Sequence, residues 1–213
     1  MRNVLIVSYY FPPFNSIASI RVSQLAYWLS KLGWNAVILT VDYRKPAEDP
    51  LDQLVDDASI IRIDGNDPFE RLRSIIKRFM AKPGAKKDPN IQGTLEETVE
   101  NKKIKWLRKL NPVSNVRLPD NTIWWQNKAV KTGLVYLAKH PVDIIFSSCG
   151  PPSSHIVASK LSKMSGTPWV ADYRDLWSLN HMIKRPWPLQ NLEEKFERCI
   201  IEQAEHITTV SHD

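Results

Sequence analysis

The chain has 213 residues, of which 43% are hydrophobic and 24% charged, and its formal net charge is +6. That length and balance suit one sizeable α/β domain and exclude a disordered or fibrous chain; no apolar run approaches the roughly 20 residues a transmembrane helix needs. Two cysteines, Cys149 and Cys199, are too few for a disulfide framework, so a reducing, cytoplasmic compartment is expected.

In chain order, Val4–Ser8 is a short continuous apolar run, as expected of a strand buried on both faces. It is too short to read as a secretion signal, and Pro12-Pro13 follows at once. From Ile17 the apolar residues Ile20, Leu25, Trp28, Leu29 and Leu32 fall at helical spacing, and Gly33 supplies the stop. Ala36–Val41 is a second strand, which completes a βαβ unit. Ser59–Ile63 reads as a third strand and Phe69–Met80 as an amphipathic helix. Lys82–Asp120 breaks the rhythm with Lys-Pro-Gly, Asp-Pro-Asn and Asn-Pro around a Glu96–Leu110 helix, and resembles an insertion over one sheet edge. The alternation resumes with a strand at Asp143–Ser147, a helix at Pro152–Ser165 and a short strand at Trp169–Ala171. A charged helix at Leu189–Ala204 and a last strand at His206–Val210 follow. Strands alternating with helices predict a doubly wound parallel sheet, a Rossmann-like α/β fold. The expected organisation is a single domain over 1–213 with a basic helical insertion at about 69–120. Because the chain stops just after an apolar strand, a second domain is expected beyond it.

In such a sheet, ligands bind beyond the carboxyl ends of the strands, near helix amino-termini. The first such loop, Tyr9–Arg21, contains no glycine, which disfavours a dinucleotide site of the Gly-x-Gly-x-x-Gly kind. Asn15 and Ser16 are candidates either to donate to a substrate or to cap the helix. Arg21, one turn on, faces a phosphate or pairs with an acid. In the loop Ser147–His155, His155 lies in the first turn of a helix, as a catalytic group at the cleft or as a structural histidine. No Gly-x-Ser-x-Gly elbow accompanies it. Asp172, Arg174 and Asp175 crowd the end of a strand, as site residues or as an internal ion pair. Two acids without a His/Cys cluster do not specify a metal.

Charge is uneven along the chain. Between Glu70 and Lys109 twelve Lys/Arg face five acids, a local +7 that leaves the remainder at −1. Arg71, Arg73, Lys77 and Arg78 flank the apolar stripe Phe69, Leu72, Ile75, Ile76 and Phe79, and Trp106 sits among further cations. An amphipathic cationic helix with aromatic neighbours suits an anionic membrane surface; the alternative is a helix packed on the sheet with a solvated basic rim. No nucleic-acid-reading motif accompanies the charge, so nucleic acid is not an expected partner.

Several of these stretches together resemble the retaining glycosyltransferases of family 4, which have the GT-B fold. They are Tyr10-Phe11-Pro12-Pro13 with Arg21, Gly33–Val37, Leu118-Pro119-Asp120 before Trp124, and Pro151–His155. The most specific is Pro168–Trp177 with its Asp172-Tyr173-Arg174-Asp175-Leu176-Trp177 core, typical of the exopolysaccharide and surface-sugar branch, and Ala204–Ser211 adds to them. The resemblance spans nearly the whole chain apart from Lys82–Asn115. It implies the amino-terminal, acceptor-binding half of a two-domain enzyme that moves a sugar from a nucleotide donor to a lipid-linked or surface-polysaccharide acceptor without a metal. The donor-binding half is expected to be absent here, leaving this piece inactive alone. The implied catalytic residues are His155 and Asp172; the implied substrate-binding residues are Asn15, Ser16, Arg21, Arg174 and Asp175. The implied setting is the cytoplasm, peripheral on the inner face of the plasma membrane. The alternative is a stand-alone module that binds saccharide or lipid without catalysis.

Overall fold

The computed structural model describes residues 2–42, 60–64, 119–120, 122–180 and 185–210. The chain divides into two compact units, one of Met1–Gly65 with Leu118–Asp213 and one of Asn66–Arg117. The expected helices at Phe69–Met80 and Glu96–Leu110, and with them Arg71, Arg73, Lys77, Arg78 and Trp106, lie outside the described residues.

The first unit is built on β1 (Arg2–Val7), α1 (Ile17–Lys31), β2 (Trp34–Asp42), β3 (Ile60–Asp64) and α2 (Ile123–Leu137). It continues with β4 (Ile144–Ser148), α3 (Ser153–Ser165), β5 (Trp169–Tyr173), α4 (Trp187–Ile201) and β6 (His206–Thr209). All six strands run parallel in the order β3-β2-β1-β4-β5-β6. This is the Rossmann-like, doubly wound arrangement, and its direction of winding reverses between β1 and β4.

The apolar runs explain why each central strand is buried on both faces. Along β1, Val4 and Ile6 pack with Val22 and Ala26 of α1, while Leu5 and Val7 pack on the opposite side with Trp125, Ala129, Val157 and Leu161. A period of two thus feeds two cores from one strand. Helices α2 and α3 approach closely at Gly133, where a β-carbon would lie 2.8 Å from a δ-carbon of Leu161. α1 starts at Ser16, whose hydroxyl accepts the Ser19 N–H at 3.2 Å.

Two features depart from the sequence reading. Helix α2, which that reading does not assign, fills the chain between the insertion and β4. Strand β5 runs to Tyr173 rather than Ala171, so Asp172 is a sheet residue in register with Ser148 on one side and Thr208 on the other. A carboxylate is tolerated there because its neighbours supply donors, as described next.

Candidate ligand site at the strand carboxyl ends

Asp172 is 2% exposed, and an unpaired charge at such a place is costly. Arg21 of α1 meets it as a fork, with Nε donating to Oδ2 at 3.2 Å and Nη2 to Oδ1 at 2.9 Å. The Ser148 hydroxyl donates to Oδ2 and the Thr208 hydroxyl to Oδ1, each at 3.0 Å. Register dictates this set: Ser148, Asp172 and Thr208 are lateral neighbours on β4, β5 and β6 and point to one face of the sheet. Both carboxylate oxygens are committed, which makes Asp172 a holder of Arg21. The exposure is asymmetric, because the Arg21 side chain is 41% exposed and that of Asp172 is 3%.

Arg174 and Asp175 sit one step beyond the strand. Arg174 Nε donates to Asp175 Oδ2 at 2.9 Å, and the pair forms an ion pair through Nη2 as well. The guanidinium lies across Gly150, whose φ of +101° suits glycine and where a β-carbon would also come within 2.9 Å of Asp175 Oδ2. The loops after β1 and β4 each carry a cis X-Pro bond, Pro12-Pro13 and Gly150-Pro151. Tyr10 stacks on Phe14 at 4.9 Å between ring centres. Burial, and then the nearby Asp120 charge, raise the Tyr10 hydroxyl above its usual range, while Arg174 opposes them.

The stretch Tyr173–Ser178 is clamped from below by two glutamates of α4 that the sequence reading did not single out. Glu197 accepts the Tyr173 hydroxyl at 2.7 Å and the Ser178 N–H at 2.9 Å. Glu193 accepts the Trp177 indole N–H at 3.2 Å and forms a buried ion pair with Arg185, which reaches the Pro119 carbonyl at 3.1 Å. Burial raises the Glu193 carboxyl, and Arg185 works against that rise. The signal was present as spacing: Glu193, Glu197 and Ile200 lie on one helical face.

His155 takes a different place from the cleft position the sequence allows. It is 0% exposed, packed between Trp169 and Tyr173 at ring distances of 5.8 and 5.0 Å. Ser147 Oγ accepts the Trp169 indole N–H at 2.7 Å and lies 2.7 Å from His155 Nδ1. The Ser147 hydroxyl thus ties the ring to the indole through Nδ1, while Nε2 is buried without a hydrogen-bond partner. Burial lowers the imidazole to about 3, against a smaller opposing influence of Asp172. Ser16 is occupied as the α1 cap, and Asn15 is exposed at the rim of the loop. Burial pushes the Cys149 thiol far up, which disqualifies it as a nucleophile at neutral pH.

The start of α3 is already filled by an anion of the chain itself. Asp120 Oδ2 accepts the Ser153 N–H at 2.7 Å, and Oδ1 accepts the Ser153 hydroxyl at 2.8 Å and the Thr122 N–H at 2.7 Å. One carboxylate thus serves the starts of two helices, the farther one 33 residues along the chain. Asp120→Ala is expected to lower stability by about 1–2 kcal/mol, read from urea unfolding midpoints; an unchanged midpoint would remove Asp120 from this role.

No protein-family model matches the chain, and no curated protein does. The reading of the site therefore rests on its chemistry. Among the described residues no group of three or more His, Cys, Asp or Glu could hold a metal ion, and no helix is long and apolar enough to cross a membrane. Of the residues named from sequence, Arg21 and Asp172 are joined directly, and Arg174 and Asp175 form a second pair on the adjacent loop. Asn15, Ser16 and His155 join neither pair among the described residues.

Proposed function

We propose that this domain is the acceptor side of a retaining glycosyltransferase of family 4, acting on a lipid-linked or surface-polysaccharide acceptor at the inner face of the plasma membrane. The observation that carries the reading is the Arg174–Asp175 pair, laid over Gly150 beside the point where the sheet reverses its winding. Open α/β sheets bind ligands at that point. A fixed guanidinium and a half-exposed carboxylate offer donors and acceptors suited to the hydroxyls of a saccharide. Tyr10 and Phe14 supply an aromatic wall on the neighbouring loop.

In this reading the domain's share of catalysis is positioning. The sugar–phosphate bond of the donor breaks, the nucleoside diphosphate leaves, and the acceptor hydroxyl attacks from the same face, giving its proton to the departing phosphate oxygen. Holding that hydroxyl against the anomeric carbon on the leaving-group side supplies much of the rate, and donors fixed before reaction stabilise the developing charge. The basic segment around Arg71, Arg73, Lys77, Arg78 and Trp106 would add attraction to anionic lipid.

The second reading, a binding module without catalysis, draws on two observations. Asp172 has both oxygens committed, and His155 has no exposed atom, so neither residue implied as catalytic meets solvent. The test is turnover by the full product of the native gene, supplied with uridine, guanosine and thymidine diphosphate sugars and a membrane extract. Release of one nucleotide diphosphate that depends on the extract supports transfer. No release with any donor would overturn it in favour of the binding module.

A further inference from the structure

The loop between β1 and α1 carries the Tyr10–Phe14 ring pair, and its backbone meets a local difficulty. Pro12 and Pro13 have no N–H to donate, so the stretch is short of partners for its own carbonyls. Pro12 is buried, where an unmet carbonyl is costly. Each carbonyl nevertheless has its donor. Thr40 Oγ1 donates to the Tyr9 carbonyl at 3.2 Å and Ser8 Oγ to that of Tyr10 at 2.8 Å. The Phe14 N–H donates to the Phe11 carbonyl at 3.1 Å, and Arg62 Nη1 to that of Pro12 at 2.7 Å.

Register brings Arg62 to the loop. Thr40 and Arg62 are lateral partners on β2 and β3, and two residues earlier Ile38 and Ile60 lie in the core that α1 covers. Side chains two apart share a face, so Thr40 and Arg62 reach the loop together from the α1 side of the sheet. They hold different parts of it. The Tyr9 end is fixed a second time, because its N–H donates to Ser154 Oγ at 3.2 Å. Phe11, 2% exposed, is anchored in the core beside Val22 and Ala26. Between Phe11 and the Ser16 cap of α1, two hydrogen bonds hold the backbone among the described residues: the Phe14–Phe11 turn bond and the bond from Arg62. The second is charge-assisted, the stronger kind.

We propose that Arg62 is a positioning residue of the acceptor crevice, holding the Pro12 carbonyl so that the loop presents the Phe14 ring stacked on Tyr10. Phe14 is 37% exposed and its ring centre lies 4.9 Å from that of Tyr10, so the ring pair has a free surface whose aim depends on the backbone beneath it. A loop ordered before binding spares the acceptor the entropy of ordering it. The effect of Arg62 therefore falls on acceptor affinity. This role rests on the proposed acceptor reading, in which Tyr10 and Phe14 wall the crevice.

The test pairs amide hydrogen exchange with kinetics on the product of the native gene. In Arg62→Met the Phe14 amide is expected to exchange about tenfold faster or more, while the amides of Val4–Val7 in β1 keep their wild-type rates. A single bond to one carbonyl does not need the guanidinium fork, so Arg62→Lys should restore most of the protection. With membrane extract as the acceptor source, the amount giving half-maximal rate should rise about threefold or more in Arg62→Met, with the donor KM unchanged. Equal Phe14 exchange in wild type and Arg62→Met would overturn the role. So would faster exchange that spreads equally through β1, no recovery in Arg62→Lys, or an unchanged half-maximal amount of extract. Exchange is read without donor or extract. A wild type that releases no nucleotide therefore counts against the enzyme reading alone, and the exchange pattern still decides whether Arg62 sets the loop.

Discussion

Asp172→Ala is expected to lower unfolding stability by about 1–3 kcal/mol, the usual consequence of leaving buried donors without their acceptor. The buried Ser148 hydroxyl carries most of this, because Arg21 and Thr208 reach solvent and can be rehydrated. Asp172→Asn should cost less, since an amide keeps one acceptor oxygen in nearly the same volume. It nevertheless leaves the Arg21 charge unbalanced and the fork broken, as one donor must now face the amide NH2. On the proposed transferase reading, the two variants should therefore separate stability from function in the product of the native gene. Asp172→Asn is expected to fold and yet lose transfer by about tenfold or more, the loss expected when a positioning charge pair is disrupted. Urea titration beside initial-rate kinetics reads both quantities. Transfer by Asp172→Asn at the wild-type rate would show that aiming Arg21 does not matter to the reaction.

The second large effect is a dependence of stability on acid that traces to His155. In the folded chain, burial holds the imidazole down at about 3, whereas the ordinary value is 6.5. The folded-state value is the lower one, so the unfolded chain takes up the extra proton. The stability that His155 contributes is complete above about pH 6.5 and is lost as pH falls towards 3, at up to ~1.4 kcal/mol per pH unit. Unfolding free energies at pH 7, 5.5 and 4.5 should fall more steeply for the wild type than for His155→Gln, which cannot titrate. Parallel pH profiles would contradict the buried, neutral imidazole.

What the sequence reveals follows from which residues obey a period. β1, α1 and β2 are legible because Val4–Val7 and Val37–Leu39 are unbroken apolar runs and α1 has a serine cap and a glycine stop. α2 hides for the opposite reason. Its apolar residues, from Ile123 and Trp124 to Tyr136 and Leu137, fall on several faces, Gly133 interrupts it, and its start is capped from Asp120 rather than by Thr122. The end of β5 is obscured because Asp172 interrupts an apolar run, and only the lateral partners Ser148 and Thr208 explain why the strand continues through it.

The site is legible in part for similar reasons. Charges at Asp172, Arg174 and Asp175 stand out locally, and their position after an apolar run places them at the strand ends. That Asp172 pairs with Arg21, 151 residues away, is a tertiary fact. The same holds for His155: its place in the first turn of α3 is readable, but which way the ring turns depends on Trp169 and Ser147. Glu193 and Glu197 looked like an ordinary solvated helix face because two acids four residues apart usually are one. Only their partners Trp177, Arg185, Tyr173 and Ser178 distinguish them.

The central claim is that this domain holds the acceptor rather than the donor. The most direct measurement is a kinetic comparison of wild type and Arg174→Ala in the product of the native gene, with donor and acceptor varied separately. Arg174 lies over Gly150 and belongs to neither apolar core, so the variant should fold, which a urea unfolding curve checks. The predicted result is an acceptor KM raised by about tenfold, corresponding to the loss of ~1.4 kcal/mol of binding, with the donor KM unchanged. A raised donor KM with an unchanged acceptor KM would contradict the account.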